Sequence, residues 1–390
     1  MKSKKVGLAF ASFASMILLA ACGAAPTSNS AASGNEIGDT FKIGYNLELS
    51  GNVAAYGQAE KNGADLAVEE INAAGGIGGK QIEVISKDNK SDNAEIASIA
   101  TKLASEEKVA VLFGPATSGG TAVATPAASQ AGVPLLTAAA TQDDLTVKDG
   151  KVEDYIFRAT FQDSYQGKVI SNFANANMGS KKAFVYYDAS SDYGKGLYKA
   201  FKDTYKGEII EEAYQSGDKD FQAALTKVKG QDFDTFVILG YYTEAGLITK
   251  QAREMGIQQA ILGPDGFSDA KFIEGAGQKN ADNVYYVSGY SSKVALSDKT
   301  TDFVAAYQKK FGQEPNMFAA LAYDSIYMIA EAGKEAKTSK DLTESLAKLT
   351  DFEGVTGKIS IDENHNPVKS AIMVKLEKGQ EVSAEVVTAD

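Results

Sequence analysis

Val109-Ala-Val-Leu-Phe-Gly-Pro-Ala-Thr-Ser-Gly-Gly-Thr121 is the stretch from which the rest of the chain can be read. Its apolar opening, Val109 to Phe113, is too short for a helix and rich in strand formers. Gly114 and Pro115 end the strand. Small polar residues then lead into an alanine-rich helical stretch, Ala122 to Gln130. The spacing predicts strand, turn and helix start. The first N–H groups of such a helix have no partner within it and carry partial positive charge, so a carboxylate or phosphate is a natural guest. Ser118 can cap the helix and also offer its hydroxyl to that guest. The GK[ST] ending of a phosphate-binding loop is absent, so a nucleotide triphosphate is not implied.

The unit repeats at once. Val133-Pro-Leu-Leu-Thr137 reads as the next strand and Ala138-Ala-Ala-Thr141 as the next turn. Two strands joined by a helix are parallel neighbours, so both turns leave the same sheet edge, where open parallel sheets bind ligands. Ser118 and Thr141 are therefore expected to face one polar, anion-friendly spot. Upstream, Phe41 to Asn46 and Gln81 to Ser86 read as strands, with helices near 58–73 and 94–105. Downstream, strands are expected at Ala183 to Tyr187, Glu208 to Ala213, Thr235 to Leu239 and Gln259 to Leu262. Helices alternate with them near 164–177, 192–205, 219–229 and 244–255. From Thr300 helices dominate, until two strand-like runs, Gly357 to Ile361 and Ala371 to Leu376, flank a turn holding His365. The fold class is α/β, and at this length two sheets wrapped by helices suit better than one.

Composition narrows the function. The 390 residues carry a net charge of −12, which makes nucleic acid a poor partner. The one cysteine, Cys22, excludes an internal disulfide, and the one histidine, His365, reads as a solvated turn residue. A Ser–His–Asp triad and a clustered metal site are thus both without support. Asp88 and Asp92 come nearest to a cation site, but helix capping explains them more simply. No enzyme, metal or cofactor is required.

Lys2, Lys4 and Lys5 precede an apolar run from Val6 to Ala20, the pattern of a signal peptide. Leu19-Ala20-Ala21-Cys22 resembles the bacterial lipobox, which implies cleavage before Cys22 and lipid attachment to its sulfur. Residues 1–22 are then a lipoprotein signal and 23–39, rich in small polar residues, a flexible tether.

Aromatic residues sit where a guest would bind. Tyr56 precedes a helix, Tyr193 follows a strand in Asp188-Ala-Ser-Ser-Asp-Tyr-Gly194, and Tyr241 follows Thr235 to Leu239. Each alone reads as core; their shared place at strand ends sets them apart. Gly263-Pro-Asp-Gly266 brings Asp265 to the same edge. A carboxylate opposite an anion site suits a zwitterion.

From Phe41 onward the chain resembles the type I periplasmic binding proteins, and most of all the leucine/isoleucine/valine-binding proteins of ABC transporters. The resemblance is carried by Leu49-Ser-Gly with Tyr56-Gly57, Ala73-Ala-Gly-Gly-Ile77, the turns 114–121 and 137–141, Asp192-Tyr-Gly-Lys-Gly196 and Gly263-Pro-Asp-Gly266. It implies two doubly wound parallel-sheet lobes joined by three crossovers, near Thr160, Ser288 and Phe352. Lobe one is then 40–160 with 289–352, and lobe two 161–288 with 353–390. It also implies site roles. Ser118 and Thr141 would hold the ligand carboxylate, while carbonyls near Ala139 and Ala140 would join Thr141 and Asp265 at the ammonium. Tyr56, Tyr193 and Tyr241 would close over the ligand, with Ala116 and Phe318 beside its side chain. The implied protein is a monomer, anchored by lipid at the extracytoplasmic face of the cytoplasmic membrane. It would close on a branched-chain amino acid and deliver it to a permease. Another neutral amino acid or an amide as ligand, or a surface receptor in place of a transporter component, are the alternatives.

Overall fold

Two sheets organise the computed structural model, which describes residues 34–389. The first has five parallel strands in the order Ile82–Asp88, Phe41–Leu47, Val111–Phe113, Leu135–Thr137, Ile156–Arg158. The second has seven, in the order Gln380–Val387, Ala371–Glu377, Val284–Ser288, Ala260–Gly263, Thr235–Leu239, Lys182–Asp188, Glu208–Tyr214. Its last five strands are parallel, and the two C-terminal strands join antiparallel. Val111–Phe113, Leu135–Thr137 and Thr235–Leu239 are buried throughout, as apolar strands covered on both faces should be.

Helices Ala54–Ala73 and Met317–Gly333 pack together on the first sheet's side. Their close approach depends on Gly63, where a Cβ would come within 1.9 Å of the Ala319 carbonyl oxygen. Helix Ser118–Ala131 ends on Gly132 in the left-handed conformation, the usual glycine stop. None of the helices among the described residues is long and apolar enough to cross a membrane.

Three strands of these two sheets were not expected from sequence. Ile156–Arg158 is only three residues long, Val284–Ser288 lies between loops, and Gln380–Val387 alternates polar residues along the sheet margin.

Three readings need correction, of the tether, of His365 and of the last crossover. Cys22 and residues 1–33 lie outside the described residues, but the end of the expected tether does not. Asn35 donates from Nδ2 to the carbonyls of Ala104 and Val109, both at 2.8 Å, and Ile37 is buried. Backbone hydrogen bonds from Ile37 N–H to the Lys337 carbonyl and from Ser339 N–H to the Asn35 carbonyl, both at 2.8 Å, pin this segment as well. His365 is not solvated: its ring stacks on Phe157 at 4.1 Å and its Nδ1 lies 3.1 Å from the Ile156 carbonyl oxygen. Burial holds its pKa below the usual value. The runs on either side of His365 belong to different sheets. Gly357–Ile361 pairs with Phe352–Gly354 and Pro367–Val368 in a small antiparallel sheet, whereas Ala371–Glu377 enters the seven-stranded one.

That small sheet is tied to the first-sheet side. Asp324 of helix Met317–Gly333 accepts from the N–H groups of Val355 and Thr356 at 2.7 and 2.9 Å. Asn366 accepts from Thr146 at 3.0 Å. The chain therefore leaves for the second sheet at Lys369–Ser370, and not at Phe352.

Candidate functional site

The decisive turn is built as a strand end meeting a helix start. Gly114 has φ +83, and a Cβ there would lie 2.7 Å from the Asn46 carbonyl oxygen, so only glycine fits. Thr117, not Ser118, is the N-cap: its hydroxyl accepts from the Gly120 N–H at 3.2 Å. Ser118 begins the helix, and its Oγ instead accepts from the N–H groups of Thr141 and Gln142, both at 3.2 Å. The two turns expected to converge are thus joined directly. Thr137 adds a second tie, donating to the Pro115 carbonyl at 2.7 Å.

Glu48 holds this turn from below and was missed in the sequence. It is fully buried and accepts from the Ala116 N–H at 3.0 Å, the Thr117 N–H at 3.3 Å and the Thr117 hydroxyl at 2.9 Å. Burial raises its pKa, against the pull of those hydrogen bonds. An acid between Leu47 and Leu49 at a strand end was the available signal. Glu60, one turn beyond Tyr56, is also buried, and neither of its carboxylate oxygens has a partner. Burial first, and the Glu48 charge second, push its pKa up.

Beside the second turn, Arg158 is fully buried and spent on structure. It donates to the carbonyls of Ala140 at 3.2 Å and Gln142 at 2.6 Å. Arg253 is used likewise, on the carbonyls of Ile257, Gln259 and Asp282. Neither arginine lines the gap described below, although Arg158 Nε is buried without a partner.

The second sheet supplies the facing wall. Tyr193 and Tyr241 stack with ring centroids 4.8 Å apart and planes 5° from parallel. The Tyr193 hydroxyl donates to Asp265 Oδ1 and accepts from the Gly266 N–H at 3.0 Å. Burial pushes the Asp265 pKa up to about 6, and the hydrogen bond from Tyr193, with the Gln166 amide nearby, restrains the rise. Tyr56 crosses from the first-sheet side. Its hydroxyl donates to the Gly266 carbonyl at 2.7 Å and accepts from the Tyr242 N–H at 3.2 Å. Its ring stacks on Phe318 at 4.2 Å.

Between these walls lies a narrow gap, whose interior holds little more free space than one water molecule needs. Ser118, Ala139, Thr141 and Ala116 line it from the first sheet's turns, and Tyr56 and Phe318 from its helices. Tyr193, Tyr241 and Asp265 line it from the second sheet. Of the residues singled out in the sequence, only Ala140 is absent, its carbonyl being taken by Arg158. Thr117 and Gly266 join the lining without having been foreseen. A larger recess, open to solvent, lies among Gln162, Lys168, Lys358 and Lys369, without the converging turns.

The arrangement can take a small zwitterion. N–H groups at a helix start and the Ser118 hydroxyl favour an anion, Asp265 favours a cation, and Ala116, Phe318 and the tyrosine rings are uncharged. Among the described residues no group of three or more His, Cys, Asp or Glu could hold a metal ion. Asp92 caps helix Asn93–Thr101, and Asp88 accepts from the backbone of Leu49, Ser50 and Lys90.

Comparison with known proteins gives the same picture. A family model described as periplasmic binding protein matches residues 40–381. The Leu/Ile/Val-binding protein homolog 3 of Brucella melitensis is 32% identical over 310 residues, 78% of this chain and 82% of that one. The leucine-, isoleucine-, valine-, threonine- and alanine-binding protein of Pseudomonas aeruginosa is 30% identical, over 83% of this chain and 86% of its own. Among solved structures, the branched-chain amino acid transporter substrate binding protein LivJ of Streptococcus pneumoniae, in complex with isoleucine, superposes with a TM-score of 0.87. It is 53% identical, with 90% of this chain and 99% of that one covered. With strand-end turns from two sheets closing on one small polar cavity, and with these relatives, the chain belongs to the periplasmic binding protein family and has its type I fold.

Proposed function

We propose that this protein captures branched-chain amino acids, leucine, isoleucine and valine, and hands them to an ABC transporter permease. The observation that carries the reading is the cavity itself: an anion-friendly helix start faces a buried carboxylate, and every other wall is uncharged. A charged ligand side chain would be buried without a partner there, at a cost of several kcal/mol on the order of that for an unpaired buried ion. The structural relative solved with isoleucine supports the same ligand class. The protein acts by binding, without turnover. Its two lobes close like a hinge: residues 40–160 with 289–368, and 161–288 with 371–389, joined near Thr160, Ser288 and Lys369. It works as a monomer, held by a lipid on Cys22 at the extracytoplasmic face of the cytoplasmic membrane. Because one relative's name includes threonine and alanine, a wider range of neutral amino acids is the second reading.

Calorimetric titration against all neutral amino acids, glutamate, lysine and a sugar tests both. Leucine, isoleucine and valine should bind most tightly and alanine more weakly, since each methylene lost costs about 0.8 kcal/mol. Glutamate or a sugar binding more tightly than leucine would overturn the assignment. Converting Cys22→Ala should leave binding intact and free the protein from salt-washed membranes; retention there would remove the lipid anchor from the reading.

A further inference from the structure

A strand that ends in a tight turn and a helix start, as Val111–Phe113 does before Ser118–Ala131, is a form in which proteins bind phosphate. This turn already holds an anion of its own. Glu48 Oε2 accepts from the Ala116 N–H at 3.0 Å, and Oε1 from the Thr117 N–H at 3.3 Å and the Thr117 hydroxyl at 2.9 Å. With its proton directed to Glu48, the Thr117 hydroxyl is left to accept from the Gly120 N–H. Each of these partners of Glu48 is a donor and none is a cation, so the fully buried acid meets them as an accept-only carboxylate. Of the N–H groups from Ala116 to Gly120, those of Ser118 and Gly119 remain for a guest. Ala116 and Thr117 line the gap, so the Glu48 charge stands one hydrogen bond behind its wall.

We propose that Glu48 is a specificity-determining residue that sets the charge the site accepts, admitting the single negative charge of an α-carboxylate and rejecting a doubly charged phosphoryl or phosphonyl group. Two effects act together. Glu48 consumes two of the N–H groups that a tetrahedral dianion would draw on, and leaves donors for one carboxylate. It also opposes the field of the helix start with a buried charge, where solvent and salt screen little. A monoanion meets that repulsion once and a dianion twice. A turn of phosphate-binding form is thereby kept for an amino acid. This inference rests on the branched-chain amino acid reading above.

The test measures dissociation constants at about pH 8 for leucine and for its aminophosphinate and aminophosphonate analogues. Both analogues are tetrahedral; the phosphinate carries one negative charge and the phosphonate, like a phosphate ester, close to two. The wild type should bind the phosphinate at least about tenfold more tightly than the phosphonate, the effect of a second charge set near a buried one. Glu48→Gln removes the charge but keeps the shape of the side chain, and should lower that ratio at least about fivefold. A purely structural role would weaken all three ligands by one common factor and leave the ratio as it is, which overturns the proposal. So does a wild type that fails to bind the phosphinate more tightly than the phosphonate, even if Glu48→Gln fails to fold. Thr117→Val loosens the turn but keeps the Glu48 charge, and should keep the ratio; a ratio that falls as far as in Glu48→Gln overturns the assignment to charge. A wild type that binds no branched-chain amino acid removes the functional reading and this inference together. One that binds leucine normally while Glu48→Gln keeps the ratio removes only the inference.

Discussion

Ser118 does two jobs with one oxygen. It ties the second turn to the first through the Thr141 and Gln142 N–H groups, and it lines the cavity. Truncation therefore leaves two N–H groups unpaired and, on the proposed function, removes a ligand contact. With a charge-assisted hydrogen bond worth about 1.5–3 kcal/mol, Ser118→Ala should weaken leucine binding roughly 10- to 150-fold by calorimetry. Asp265 sets the pH response. Its pKa is raised to about 6, so below that pH the group is a neutral acid and cannot balance an ammonium. Affinity for leucine should hold above pH 6 and fall as pH drops through it, while Asp265→Asn should bind weakly with a flat profile. An affinity that rises on acidification would exclude Asp265 from the ammonium site. Ser118, Thr141 and Asp265 were legible because each stands in a strand–turn–helix pattern, and the pattern fixes which edge it reaches. Glu48 was not, because its role depends on how far a side chain reaches into a neighbouring turn. Such contacts leave no periodic trace.

At the level of elements, the long apolar strands and periodic helices were readable, and failures fell where local signals are short or where packing overrides them. Ile156–Arg158 has three residues, too few to show a period. His365 sits among Asp362, Glu363 and Asn364, a polar setting that says surface, yet Phe157 offers a flat face and the Ile156 carbonyl a partner. Asn35 and Ile37 look like linker until the carbonyls and hydrophobic wall they meet are known. Contacts distant in sequence decided each case. The same holds for helix Ala54–Ala73, whose Gly63 reads as a helix weakener but permits contact with Ala319. Alanine there has better helix propensity and nowhere to go. Gly63→Ala should therefore destabilise by about 1–3 kcal/mol, the cost of overpacking, and lower the denaturation midpoint. A variant more stable than wild type would mean that the helices part without penalty.

Across the molecule, the two sheets meet at a narrow seam of hydroxyls and backbone groups. Tyr56 reaches from one side to the Gly266 carbonyl and the Tyr242 N–H, and Tyr242 answers with a hydrogen bond to the Asn52 carbonyl at 3.2 Å. None of these five groups belongs to a ligand. The closed arrangement consequently has a lifetime of its own, and ligand entry and exit must both wait for the same bonds to part. Tyr56→Phe keeps the ring against Phe318 but deletes the bridge. In stopped-flow measurements it should speed leucine association and dissociation together, with dissociation gaining more because the closed complex loses its latch. Rates unchanged in both directions would mean that the seam opens faster than the ligand arrives. On the proposed function, residence time would then be governed partly by a tyrosine that holds the door shut even on an empty room.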